Sequence, residues 1–101
     1  MGWATKYIER LICGETISCR PRGNSMRGKI SSGQLCTIRP ITDNDILSVG
    51  DIVLCKVKSN EYLHIIKAIN GSRYLIGNNF GKINGWTKRN KIFGVLVTVT
   101  N

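Results

Sequence analysis

DIVLCKVKSNEYLHIIKAINGSRYLI, residues 51–76, decides the fold. Three runs rich in β-branched and aliphatic residues, 51–58, 62–69 and 73–76, are separated only by Lys58-Ser59-Asn60-Glu61 and by Asn70-Gly71-Ser72. Asn-Gly readily takes the positive φ angles of a tight hairpin turn, so the stretch predicts a three-stranded antiparallel meander. Alternation along its middle strand sends Leu63 and Ile65 to one face and His64 and Ile66 to the other. His64 is the only histidine of the chain. Placed beside an apolar neighbour it is partly desolvated and therefore neutral, the state a general base requires.

Outward from this meander, residues 16–19, 35–38 and 92–100 are further short apolar runs bounded by Gly, Asn, Ser, Asp or Pro, and each predicts a strand. The N-terminal dozen residues differ. Trp3, Ala4, Tyr7, Ile8, Leu11 and Ile12 recur with the spacing of one helix face, and Gly14 is a natural stop. The expected organisation is an amphipathic helix over 1–14 and a β domain over 15–101, giving a mostly β (β-rich α+β) fold. Residues 77–90 hold three glycines and four asparagines without a clear period, and read as a long irregular loop. Within it, Trp86 either lines a cleft or caps the core. Asp43, Asp45 and Asp51 fall in a polar linker and at a strand start, where turn roles explain them.

A chain of 101 residues with 42% hydrophobic and 21% charged residues folds as one domain. The net charge of +9 favours polyanions or acidic partners. The basic residues are dispersed, with small groupings at Arg20, Arg22, Arg27 and Lys29 and at 88–91, rather than set in a block. Cys13, Cys19, Cys36 and Cys55 form no C-x-x-C pair and no zinc-like spacing, so neither a metal nor another cofactor is expected. They read as reduced thiols of a soluble, cytoplasmic protein. No apolar run approaches the roughly 18–20 residues of a membrane span.

Chemistry enters at Gly23-Asn24-Ser25-Met26. A serine in a glycine-bounded turn becomes a nucleophile when a base can take its proton, and His64 is the isolated base available. This segment, with Gly33-Gln34-Leu35 and Val49-Gly50-Asp51-Ile52-Val53-Leu54, resembles in order the G-x-S-M, G-D and G-D-[IV]-V boxes of LexA-type self-cleaving repressors and type I signal peptidases. The resemblance runs from about Arg20 to Val97.

The resemblance implies a coiled β-sheet fold and a serine peptidase that binds an extended polypeptide beside a sheet edge. It implies Ser25 as nucleophile, with the Ser25 main-chain N–H in the oxyanion hole and Met26 packed beneath. At the position of the usual lysine base stands His64, as in the Ser-His variant of archaeal and endoplasmic-reticulum signal peptidases. Lys67 is the alternative base, but it lies three positions on and is expected on the opposite strand face. Where relatives carry aspartates this chain has Asn78 and Asn84, which are the candidates for orienting the histidine. Cys13-Gly14 resembles the bond that self-cleaving relatives cut, yet so short a tether to Ser25 argues against cleavage there. Two other readings stand beside the peptidase. One is a non-catalytic member of the same fold acting as a protein-binding or homodimerisation module. The other is a basic nucleic-acid-associated domain, for which no helix-turn-helix or other motif speaks.

Overall fold

The computed structural model describes residues 2–101. One helix, α1 (Thr5–Ile12), precedes seven strands: β1 (Ile17–Cys19), β2 (Leu35–Pro40), β3 (Ile52–Val57), β4 (Asn60–Asn70), β5 (Arg73–Gly77), β6 (Ile83–Lys88) and β7 (Ile92–Thr100). They form a single sheet in the order β1-β2-β7-β3-β4-β5-β6. Every neighbouring pair is antiparallel. The protein is mostly β with a short N-terminal helix, as expected. No helix among the described residues is long and apolar enough to cross a membrane.

The meander of β3, β4 and β5 follows its sequence signals closely. Val57 pairs with Asn60 across Lys58-Ser59, and Asn70 pairs with Arg73 across Gly71-Ser72. Gly71 takes the positive φ of 61° that its turn requires, whereas the first turn places Lys58 at a φ of 58°, a region that favours glycine.

The two faces of the sheet carry different cores. On one, α1 packs Ala4, Ile8 and Leu11 against Cys36, Ile38, Leu54, Leu63 and Ile65. On the other, Val53, Cys55, Ile66, Tyr74 and Ile76 fill the concave side of a curl. That curl brings edge strand β6 back over β3, where Thr87 Oγ1 donates to the Lys56 carbonyl at 2.7 Å. A Cβ on Gly85 would come within 3.2 Å of Val57 Cγ1, so the close approach of β6 uses a glycine.

β6 lies inside the stretch that the sequence assigns to irregular loop, and this corrects that expectation. Its pairing with β5 steps from Ile76↔Gly85 to Gly77↔Ile83, leaving Asn84 as the extra residue of a β-bulge. A bulge breaks period-two alternation, and β6 also lacks the run of β-branched residues that marks its neighbours. Trp86, 43% exposed, lies on the outer side of this strand rather than in a cleft or over the core.

Helix α1 is only eight residues long and would be marginal alone. It is held from outside: Glu61, at the start of β4, accepts from Ala4 N and from Thr5 Oγ1, both at 2.7 Å. A carboxylate at the positive end of a helix satisfies donors that have no intrahelical partner. The indole N–H of Trp3 adds a third tie, to the Glu61 carbonyl at 3.2 Å.

Two of the three aspartates, Asp45 and Asp51, have structural roles. Asp45 receives a two-pronged pair from Arg39 and caps the Thr42 main-chain N–H, and these bonds, the Arg39 side chain first, hold its carboxyl down at about 2. Asp51 accepts from Ser48 N at 2.9 Å where β3 begins.

Candidate active site

Ser25 sits on a turn that belongs to no strand. Gly23, at φ 114°, opens it, and its N–H donates to Ser32 Oγ at 3.1 Å. The glycine of the second box contributes directly: Gly33 N donates to the Pro21 carbonyl at 2.9 Å, and its own carbonyl accepts from Arg20 Nη1 at 2.9 Å. Beyond Ser25 the chain makes a helical turn, with Ile30 N donating to Met26 O at 2.8 Å. The side chains of Met26 and Ile30 are both buried in the core beneath α1 and anchor the turn from below.

His64 comes from the middle of β4 and is 8% exposed. Its Nε2 lies 3.1 Å from Ser25 Oγ and its Nδ1 lies 2.7 Å from Asn84 Oδ1. An amide oxygen can only accept, so Nδ1 carries the proton and Nε2 presents its lone pair to the Ser25 hydroxyl. Tyr62, two residues earlier on the same strand face, stacks on the imidazole with ring centroids 4.9 Å apart and an interplanar angle of 28°. Burial pushes the His64 pKa below its ordinary value; the Asn84 hydrogen bond opposes this, and the nearby charges of Lys82 and Lys67 reinforce it. The net effect favours the neutral ring over the imidazolium.

Asn84 reaches His64 because of its bulge. In a regular ladder it would take its turn in the alternation of β6, whereas the extra residue is free to aim its amide across the curl. Of the two asparagines expected to orient the histidine, Asn84 alone contacts the ring. Asn78 Oδ1 instead accepts from the main-chain N–H groups of Phe80 and Lys82, at 2.8 and 2.9 Å, and shapes the loop between β5 and β6.

Asn79 has a role that sequence reading did not assign. Its main-chain N–H donates to the Ser25 carbonyl at 3.0 Å, and its side-chain Nδ2 donates to the Arg27 carbonyl at 2.7 Å. One residue thus grips the Ser25 turn on both sides of Met26. Its only signal in the sequence is membership of a Gly-Asn-Asn turn.

Lys67 makes no hydrogen bond to Ser25 among the described residues. It is the bulge residue of β4, between the pairs Ile66↔Ile76 and Ala68↔Leu75, and its stem lies against Gly77. It acts on the site only through its charge. The Ser25 main-chain N–H has no acceptor among the described residues and remains available to an oxyanion. Cys19 lines the same cleft, but burial, with the neighbouring Cys36 adding to it, pushes its thiol up to about 11, far from a thiolate nucleophile. Cys13 is exposed outside the cleft. Among the described residues no three His, Cys, Asp or Glu side chains converge on a point where a metal would sit.

No protein-family model matches this sequence, and no curated protein sequence matches it at a significant level.

Proposed function

We propose that this protein is a serine peptidase with Ser25 as nucleophile, His64 as general base and Asn84 as the residue that orients the base. The observation that supports this reading is the unbroken series Asn84 Oδ1···Nδ1–His64–Nε2···Oγ–Ser25, formed by residues 20 and 39 positions apart in the chain. Three polar groups brought together from a turn, a central strand and a bulged edge strand do not serve the core, and their proton order suits activation of a hydroxyl.

In this mechanism Ser25 Oγ attacks the carbonyl carbon of a peptide bond while its proton passes to His64 Nε2. The resulting imidazolium keeps its Nδ1–H bond to Asn84 and protonates the departing amine. A water then attacks the acyl carbon while giving a proton to the same nitrogen; the bond to Ser25 Oγ breaks, the acid leaves, and His64 returns that proton to Ser25 Oγ. The Ser25 N–H supplies one donor to the oxyanion. Asn84 fixes the tautomer but offers the imidazolium only a dipole, so the base is oriented more than it is electrostatically supported.

The sheet provides a place for an extended substrate. Residues 60–64 of β4 pair with β3 on one side, while β5 joins the other side only at Ile65↔Gly77. By alternation the N–H and C=O of Leu63 point to that open side, next to His64, and can pair with a substrate backbone.

A small fluorophosphonate probe tests the proposal. Ser25 should be labelled stoichiometrically, Ser25→Ala should abolish labelling, and His64→Ala should slow it by at least about a hundredfold. Absence of Ser25-dependent labelling in folded protein would overturn the peptidase reading and leave the non-catalytic binding module, which the lack of a carboxylate on His64 favours.

A further inference from the structure

The cleft around the dyad is larger and more apolar than backbone capture requires. Open to solvent on one side, it offers about 740 Å3. Met26 and Ile30 of the nucleophile turn form one wall and Tyr62 and Leu63 of β4 another. The third wall comes from the N-terminal segment, outside the stretch with peptidase-like boxes: Trp3, just before α1, and Tyr7 within it stand with ring centroids 6.4 Å apart and planes inclined at 57°. A pocket of this size bounded by three aromatic rings has room for a large side chain, where an alanine would leave most of the apolar surface uncovered.

The charge around this cleft is one-sided. Arg20, Arg22 and Lys82 stand at it, and neither Arg22 nor Lys82 takes part in an ion pair among the described residues. Glu61 is the single acidic lining residue, and both its carboxylate oxygens are occupied by α1. The local field is therefore positive, in line with the +9 charge of the whole chain.

We infer that this cleft selects a polypeptide segment with a bulky apolar side chain flanked by acidic residues, and that Trp3 and Tyr7 are its specificity-determining residues. The acidic flanks meet Arg22 and Lys82, the apolar side chain enters between α1 and Tyr62, and the backbone lies along the open edge at Leu63. As a statement of substrate class this rests on the peptidase reading; as a binding statement it can be measured without turnover.

The experiment uses the full chain with Ser25→Ala and titrates it by calorimetry with three eight-residue peptides. One carries a central Phe between glutamates, the second replaces Phe with Ala, and the third replaces the glutamates with lysines. The Phe-glutamate peptide should bind about tenfold or more tightly than the Ala peptide, since burying an aromatic side chain rather than a methyl group is worth at least that factor. The lysine peptide should bind more weakly still, and added salt should reduce the difference between the two charge types. Trp3→Ala and Tyr7→Ala should each reduce the Phe-over-Ala preference, while Trp86→Ala on the outer side of β6 should leave it intact. Should either variant fail to fold, Trp3→Leu or Tyr7→Leu provides the same comparison with less loss of packing. Equal binding of the Phe and Ala peptides, or of the acidic and basic ones, would overturn the inference. Fluorophosphonate labelling of the unsubstituted protein separates the outcomes. Labelling without peptide discrimination sinks the specificity inference alone, and discrimination without labelling sinks the peptidase reading and leaves a peptide-binding cleft.

Discussion

Ser25 and His64 meet at 3.1 Å, but the two regions that hold them are built differently. His64 stands in an eleven-residue strand whose backbone is paired to β3 and, from Ile65 onward, to β5, with Ile66 fully buried beside it. Ser25 rides on a turn without strand pairing, tied by its carbonyl to Asn79 and rooted by Met26 and Ile30. The position of His64 is thus a property of the cooperatively folded sheet, whereas the position of Ser25 is local. A fold arranged this way can adjust the serine without disturbing the histidine.

The contrast is broken most severely from the sheet side. Ile66→Ala should destabilise the protein by about 2–5 kcal/mol, because a fully buried side chain leaves a cavity in the curl that holds His64. Urea unfolding measures this, and a loss below about 1 kcal/mol would show that the His64 strand is no more tightly packed than the turn opposite it.

Next in size is the electrostatic environment of His64. Asn84→Asp should raise the rate of Ser25 labelling by about tenfold or more above neutral pH, since a carboxylate stabilises the imidazolium that an amide can only orient. The pH profile moves with it. In the natural protein, burial depresses the His64 pKa, so labelling should keep its full rate down to pH values below the ordinary 6.5 and fall only under that. A carboxylate at position 84 shifts this acid limb upward. Stability obeys the same sign: between the depressed folded pKa and 6.5 the unfolded chain binds more protons, so stability falls as pH drops through that window and is level above it. A rate that climbs only at strongly alkaline pH would implicate Lys67 as the base instead.

Smaller again, Asn79→Ala tests the local side of the contrast. It removes the bond to the Arg27 carbonyl while keeping the main-chain bond to Ser25. Labelling should slow by a few-fold up to about tenfold, with the urea midpoint nearly unchanged, because net hydrogen-bond contributions near the surface are about 1 kcal/mol. A large drop in stability would show that the turn is part of the cooperative core. The smallest effect is expected farthest from the site. Lys58→Gly should stabilise the β3–β4 hairpin by up to about 1 kcal/mol by relieving a left-handed residue, offset in part by the added freedom of glycine when unfolded.

The same division governs what the sequence discloses. The β3–β5 meander is legible because alternation, β-branched runs and an Asn-Gly turn all agree, and the face occupied by His64 follows from strand parity alone. Ser25, Met26 and Gly33 are legible as parts of short boxes. β6 is not, because the bulge at Asn84 and the close approach at Gly85 remove the periodic signal just where the strand passes over β3. Lys67 likewise sits in a bulge, so its direction cannot be counted from His64 two residues at a time. The helix reads clearly as amphipathic, yet nothing in residues 1–14 reveals that Glu61 receives its N-terminus, since those contacts span some 56–58 positions, or that Trp3 and Tyr7 line the cleft that holds Ser25 and His64. Asn79 is hidden for a similar reason: half of its grip is made by a main-chain N–H, which every residue but proline possesses.

Asn84 is one residue more than the pairing of β5 with β6 needs. Deleting it would leave two strands in continuous register, a sheet with the same order and the same cores, and a histidine with nothing to fix which nitrogen holds its proton. One residue beyond the ladder thus decides whether the imidazole has a fixed tautomer.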